Sequence, residues 1–431
     1  MRYFRQIWFD LRHQKMMMWV SVSGTALAIF LMMAFFMSNR MKSVAVPPET
    51  ERERIVFGQN IDVFYKVENG EEWSQSGALE YDRARKLYGN LDGVELYSYF
   101  TMWPDALDVS KEVVNSKTMT GKYTDGNYWK MYHFNFVEGK PFSHSSSESG
   151  EKVAVISRTV ARDQFGDNSA VGKEIWINGN PVRVVGVVED VNPMLEASYS
   201  DIWMPLGPDR REPSEHGTGE VQVAMLLKPG TRVEDLQKEV SERYDRLNSE
   251  LKAQGQRIVY HGQPYTIDII STHHYGSNTT PDPNDGKTLR YIIYLLLMIL
   301  PAINLSSMTR SRLRHREAEI GVRRAFGASR LSILNQLLGE NLIITLIGGL
   351  IGLVCSLLFM LLLSRLFIEQ GLDYESVFVD PVGINPDFSM LFTWSSFLMA
   401  LGFCFILNLL SAFVPSWKAA AVHPAEAISK R

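Results

Sequence analysis

Four apolar runs interrupt an otherwise polar chain, one near its start and three in its last third. The first, Met16 to Met37, carries no charge from end to end. The second lies between Arg290 and Arg310, the third runs from Leu342 to Leu363, and the fourth from about Met390 to Val414. About 20 apolar residues in a helix cross roughly 30 Å of hydrocarbon. The runs therefore predict transmembrane helices at 16–37, 289–309, 342–364 and 390–414. The first is longer than a signal-peptide core and no A-x-A site follows it before Arg40, so it reads as an uncleaved anchor.

Basic residues set the orientation. Arg2, Arg5, Arg12 and Lys15 precede the first span, and Arg310, Arg312, Arg314, Arg316, Arg323, Arg324 and Arg330 crowd the loop after the second. Between Arg365 and Lys418 there is no Lys or Arg, while Glu369, Asp373, Glu375, Asp380 and Asp387 are acidic. The positive-inside rule then puts both termini and the Arg-rich loop in the cytoplasm. Residues 44–287 lie outside.

That external region reads as α+β. Ile61 to Val67 and Val94 to Phe100 are strand-like with a helix-like Gly77 to Tyr88 between them. The same order returns as Val221 to Leu227, the helical Val233 to Leu251, and Tyr265 to Ile270. Two β-α-β units split by an insertion predict a ferredoxin-like lobe over about 55–101 and 215–272. The insertion, about 102–211, reads as β-rich, with a strand at Val153 to Ile156 and a helix at Arg158 to Phe165. Asn178-Gly179 between two β-branched runs is a hairpin signal. His144 to Gly150 reads as a polar loop tip, and His273 to Lys287 as a tether back to the membrane.

Composition adds little to this picture. The net charge of −4 over 431 residues gives no reason to invoke nucleic acid. Both cysteines, Cys355 and Cys404, fall in apolar runs, so the external domain holds no disulfide.

The segment Arg316 to Arg330, REAEIGVRRAFGASR, follows the second span directly. Ile320, Val322 and Phe326 suggest a narrow apolar stripe flanked by Glu319, Arg323 and Arg324. A short helix of that kind docks in a cleft on a soluble protein. Gly321, Gly327 and Ala328 keep its surface low or end it. A basic loop lying on anionic lipid is an equal reading of the residues alone.

The run EIGVRRAFGASRLSILNQLLGENLIITLIGGLIGL (Glu319 to Leu353) resembles the signature of MacB/FtsX-type ABC transporter permeases. The resemblance extends to INLSSMTRSRLRHRE at the end of the second span and to the Pro415 to Ala427 ending. It also covers Lys152 to Asp190, which is similar to that family's periplasmic core domain. It implies a membrane α-helical bundle of four transmembrane helices carrying an extracytoplasmic α+β domain, with a porter-like lobe and a β-rich inserted lobe. Glu317, Glu319, Ile320, Gly321, Val322, Arg323, Arg324, Ala325, Phe326, Gly327 and Ala328 would form a coupling helix seated on a cytoplasmic ABC ATPase. Residues 1–15 would be an amphipathic helix on the inner leaflet lipid, 310–330 the cytoplasmic coupling segment and 415–431 a cytoplasmic tail. The implied partners are that ATPase, which alone would bind ATP and Mg, and a second permease, identical or paralogous. A periplasmic adaptor and an outer-membrane channel complete an efflux assembly of this type.

Other motifs carry less. Asp285-Gly286-Lys287-Thr288 imitates the end of a phosphate-binding loop, but Pro281 stands where its first Gly is required. The ATPase is therefore expected on a separate chain, with no cofactor on this one. His273-His274 has no second pair at metal-ligand spacing, and no nucleophile elbow is present. No catalytic or metal site is expected, and the chain reads as a non-catalytic transporter subunit. Gly348-x-x-x-Gly352 lets two membrane helices approach closely, within one chain or between two. The function expected is transport or mechanotransmission in the inner membrane. The alternatives are a regulator of a periplasmic cell-wall hydrolase and a membrane-anchored receptor. A receptor would usually carry a cytoplasmic output domain, and the external domain is large for a hydrolase regulator.

The topology has a direct test. A cysteine at Ser329 in intact cells stays unlabelled by a membrane-impermeant thiol reagent, and periplasmic labelling there would overturn the orientation.

Overall fold

The computed structural model describes residues 15–43, 45–66, 72–111, 116–193, 195–212, 217–270, 280, 288–289, 291–297, 299, 320–323, 325–371 and scattered positions between 394 and 417. Two compact units result, one of Met1–Met41, Lys287–Ser364 and Pro386–Arg431, the other of Lys42–Gly286 and Arg365–Asn385. The expected segments 1–14, most of 289–309, much of 390–414 and 418–431 lie outside the described residues, as do His273 and His274.

Within the first unit, α1 (Lys15–Ser43) and α8 (Arg330–Gly371) dominate. Trp19–Met37 and Leu331–Met360 are each long and apolar enough to cross a membrane. At about 1.5 Å per residue, the 42 residues of α8 reach roughly 63 Å, about twice the hydrocarbon thickness. The helix thus begins earlier and ends later than the span expected at 342–364. Ser329 explains the early start, because its Oγ accepts a hydrogen bond from Ser332 N at 3.2 Å and caps the first turn.

The other unit contains two lobes. In the first, β1 (Ile55–Gly58), β4 (Val94–Thr101), β12 (Val221–Leu227) and β14 (Tyr265–Thr266) form an antiparallel array ordered β4-β12-β1-β14. Two helices, α2 (Tyr81–Tyr88) and α6 (Val233–Lys252), cross between them. Numbered by their places in the two β-α-β units, the strands run 2-3-1-4, the connectivity of a split β-α-β pair. Leu236, Val240 and Tyr244 of α6 and Ala84, Leu87 and Tyr88 of α2 share one core with Val56, Val223 and Met225.

The strand expected at Ile61 to Val67 is not part of that array. As β2 (Ile61–Lys66) it pairs with β3 (Glu72–Gly77) and β13 (Gln256–Val259) in a separate three-stranded sheet. The array's own first strand is IVFG, buried at every position, so it shows no alternation to read. The expected helix start at Gly77 shifts to Tyr81, because Glu72–Gly77 is strand. Tyr265–Thr266 is strand, but Ile267–Ile270 turns helical as α7.

The inserted lobe is a closed barrel. Its strands are β5 (Asp105–Ser110), β6 (Lys117–Thr124), β8 (Val153–Ser157), β9 (Glu174–Ile177), β10 (Asn180–Val188) and β11 (Ile202–Pro205). They follow the circuit β5-β6-β11-β8-β10-β9 and back to β5. Closure removes the exposed edges of a small sheet. Leu107, Val109, Ala154, Ile156, Ile175, Val184 and Ile202 belong to its core, with Val160 and Phe165 of α5 (Arg158–Phe165). β7 (Phe136–Gly139) pairs with β10, after the single turn α3 (Tyr128–Met131). His144 to Gly150 is a short helix, α4 (His144–Ser149), and not a loop tip. Ser143 Oγ caps it, and the buried Ser147 gives its hydroxyl proton to Leu206 O at 3.1 Å.

Asn178 and Gly179 join β9 to β10 with φ of 49° and 75°. Both values lie in the left-handed region a type I′ turn requires. A Cβ on Gly179 meets nothing within 4 Å, so the cost of a side chain there is conformational, about 1–2 kcal/mol or more for a β-branched residue. Gly179→Val should therefore lower the melting temperature of the fragment 44–287 by several degrees. An unchanged value would contradict the turn assignment.

Candidate functional site

Residues 320–323 and 325 form a short helix ahead of α8. Phe326 N donates to Val322 O and Ala328 N to Arg323 O, each at 3.0 Å. Gly327 follows with φ of 92°, which ends the helix. Two side chains stand out of this turn: Val322 at 43% and Phe326 at 88% exposure. They are four residues apart and so share a face.

The expected three-residue stripe does not form. Ile320 is buried at 6%, because two positions on a helix are about 200° apart and Ile320 must point away from Val322. Gly321 is buried too and does not line the outer surface. Ala325 is exposed and Ala328 half-buried. Arg323 is not a free charge: its Nη1 donates to Gln336 Oε1 at 2.9 Å, and Gln336 Nε2 reaches Glu340 Oε1 at 3.4 Å. These bonds tie the short helix to α8. Glu317, Glu319 and Arg324 lie outside the described residues.

Gly348 and Gly352 face α1 within the same chain. A Cβ on Gly348 would stand 2.8 Å from Thr25 Cβ, and one on Gly352 would stand 2.5 Å from Ala26 O. Val22 and Ile344 pack beside this contact, and Phe30 meets Phe359 edge-on at 5.2 Å. Ile344, Thr345, Leu353, Ser356 and Met360 are buried on the same side of α8. Leu342, Leu346, Leu350, Val354, Leu358 and Leu362 are exposed at every fourth position. An exposed all-leucine and valine stripe of this length suits hydrocarbon and not water.

In the external unit the notable electrostatics are buried. Lys122 is fully buried, its Nζ donating to Glu196 O at 2.7 Å and Ala197 O at 3.0 Å. Burial lowers its pKa to about 8, against the opposing pull of Glu49 and Glu196. Asp125 is raised to about 6 by burial, although Tyr99 N, Ser98 Oγ and Tyr128 N all donate to it. Sequence patterning missed both, since Lys122 bonds residues 74 and 75 positions away and Asp125 takes two of its three donors from Ser98 and Tyr99, 27 and 26 positions away. Among the described residues no cluster of His, Cys, Asp and Glu suits a metal ion.

A family model for the MacB-like periplasmic core domain matches residues 18–243, more than half of the chain. A second, for the FtsX-like permease C-terminal region, matches residues 291–424. The chain belongs to the MacB/FtsX-type ABC transporter permeases.

Among curated relatives of this permease, the uncharacterised ABC transporter permease YknZ of Bacillus subtilis is 22% identical over 302 residues, covering 70% of this chain and 67% of that protein. The macrolide export ATP-binding/permease protein MacB of Pasteurella multocida is 25% identical over 303 residues, covering 70% of this chain and 42% of that protein. Solved structures with a likeness include the extracellular domain of YknZ from Gram-positive bacteria, at 19% identity and a TM-score of 0.31 over 46% of this chain and 99% of that one. The periplasmic region of MacB from Actinobacillus actinomycetemcomitans gives 14% identity and a TM-score of 0.32 over 47% and 88%. The family assignment rests on the sequence matches.

The α1–α8 contact makes a prediction of its own. Gly352→Leu overfills it, an error that costs about 1–3 kcal/mol in a packed interior, and should lower the melting temperature of the permease in detergent. Leu350→Ala, on the exposed stripe, should leave it unchanged. Equal effects of the two would refute the packing assignment.

Proposed function

We propose that this permease couples ATP hydrolysis on a separate cytoplasmic ATPase to movement of its external domain, driving export or extraction of a substrate outside the inner membrane. The observation that carries the reading is the Val322–Phe326 ridge. A phenylalanine exposed at 88% on a turn bonded to a membrane helix is costly in water and suits a cleft on a partner. Residues 310–330 and both termini are then cytoplasmic, and residues 44–287 form the extracytoplasmic domain. In this reading the split β-α-β lobe is the porter-like part and the barrel its β-rich insertion. The remaining spans complete a four-helix bundle, and residues 1–15 lie along the inner leaflet.

The residues divide the labour. Val322 and Phe326 supply the apolar ridge, with Ala325 and Ala328 low enough beside it to let a partner approach. Arg323 holds the ridge to α8 through Gln336, so a push on the ridge reaches the helix without bending the link. Glu317, Glu319 and Arg324 are proposed to supply the matching charges. ATP and Mg would bind on the ATPase, and two permeases with two ATPases would make the working unit. An adaptor and outer-membrane channel would extend it to an efflux assembly.

Burying one phenylalanine contributes about 1.5–3 kcal/mol, or about 10–100-fold in affinity. Phe326→Ala should therefore weaken co-purification of the ATPase by at least about tenfold while leaving the permease's own melting temperature unchanged. Charge reversal of Arg323 and Arg324 together should abolish stimulated ATP turnover in detergent, where anionic lipid is largely removed. If these variants retain their ATPase and full turnover, the ridge is not the docking surface.

A further inference from the structure

The segment that leaves α1 does not behave as a linker. Glu49, six residues after the end of α1, is a carboxylate at 1% exposure. Its Oε1 accepts from Ser198 N at 3.0 Å and from Ser198 Oγ at 2.7 Å, and its Oε2 pairs with Arg52 Nε at 3.4 Å. Arg52 is itself 4% exposed. On either side of Glu49, Pro48 O accepts from His133 N at 2.8 Å and Thr50 Oγ1 meets His133 Nδ1 at 2.8 Å. His133 and Ser198 both belong to the inserted lobe.

The same segment then grips the other lobe. Arg54 donates through Nε and Nη2 to Leu227 O at 3.0 and 2.7 Å, at the end of β12. Its Nη2 also pairs with Glu95 of β4 at 2.7 Å. The receiving loop in the barrel lobe is held in turn: Lys122 bonds Glu196 O and Ala197 O, and Tyr128 Oη donates to Ala197 O at 3.0 Å. Glu49 is the hydrogen-bonded member of this buried pair, whereas Arg52 Nε and Nη1 make no hydrogen bond and depend on its charge, so removing the carboxylate is heavily destabilising. The Glu49–Ser198 contact is therefore stiff and hard to pull apart.

We propose that residues 48–54 form a strap through which displacement of α1 enters the external domain, with Glu49 as the positioning residue toward the barrel lobe and Arg54 toward the split β-α-β lobe. The inference rests on the coupling reading above and names where its motion crosses into the outer domain. No chemistry is required of the strap, which carries load.

The test uses the full-length permease with the ABC ATPase that co-purifies with it, with and without ATP and Mg, followed by amide hydrogen exchange. In the wild type, ATP should change exchange in residues 195–201 and in β12. Glu49→Ala should reduce the change at 195–201 by roughly an order of magnitude, as expected when a local opening is no longer linked to the distant event. ATPase co-purification and the ATP-dependent protection of 320–329 should persist. A Gly-Ser-Gly-Ser insertion between Ala45 and Val46 leaves every strap contact in place and should blunt the response in both lobes by adding slack. That second variant separates lost transmission from lost folding. Wild-type responses in both variants would overturn the strap and leave the coupling reading standing. No ATP-dependent change in the wild type's external domain would overturn both.

Discussion

Close approach of two backbones, at Gly348 and Gly352 of α8 against Thr25 and Ala26 of α1, is the interaction on which the membrane unit depends. In hydrocarbon, leucine gains nothing by leaving lipid for another leucine, so helix association rests on van der Waals fit and on small residues that permit it. The partition of side chains follows. Val22, Thr25, Ile344, Thr345 and Ser356 are buried, together with the longer Ile29, Met33, Leu353 and Met360, while the stripe from Leu342 to Leu362 is exposed. Even the polar members are consistent, because Thr25 Oγ1 returns its proton to Ser21 O and Ser356 Oγ to Leu353 O. Those two hydroxyls are satisfied within their own helices, which leaves shape to set the fit at the glycines.

The external domain solves a different problem, that of a β-rich insertion dropped into a small α+β lobe. An open run β11-β8-β10-β9-β5-β6 would leave β11 with an unpaired edge, and pairing β11 with β6 closes it. Charge is then admitted where the two lobes meet, but only with partners. Arg210 pairs with Asp105 and Glu220 at 2.7 and 2.8 Å and stacks on Tyr123, while Arg211 pairs with Glu148 and lies over Tyr81. These planar cations satisfy carboxylates and aromatic faces together, as guanidinium groups do best. The lobe junction is thus specified by directional contacts as well as by apolar burial.

How much of this was legible in the sequence depends on how local each cause is. Asn178-Gly179 announced its turn because the cause, positive φ, belongs to those two residues. The order of the split β-α-β units was readable from α2 and α6, whose buried positions recur at helical spacing. β1 was not, since IVFG is buried on both faces and matches no alternation, and the better patterned IDVFYK drew the assignment instead. EWSQSG became a strand because β2 offered it an edge, a tertiary cause invisible in its own residues. Glu49 was read past for the same reason: its partner Ser198 is 149 positions away. Ile320 is the one error that arithmetic on the helix angle would have caught.

The short connections decide where motion is absorbed. Between the Val322–Phe326 ridge and the capped start of α8 stand only Gly327, Ala328 and Ser329, and the Arg323–Gln336 bond spans them. A displacement at the ridge therefore cannot be lost in that turn without breaking a charge-assisted hydrogen bond, the stronger kind. On the far side, six residues join the end of α1 to Glu49, enough for at most about 20 Å of extended chain. In the coupling proposed above, the path from cytoplasm to outer domain would consist of a bonded turn, the α1–α8 contact at glycine, and a strap with a buried carboxylate. On that proposal, the length of the connection between α1 and Glu49 is the quantity that sets how much movement arrives, because the strap beyond it is held by Ser198, His133 and Leu227.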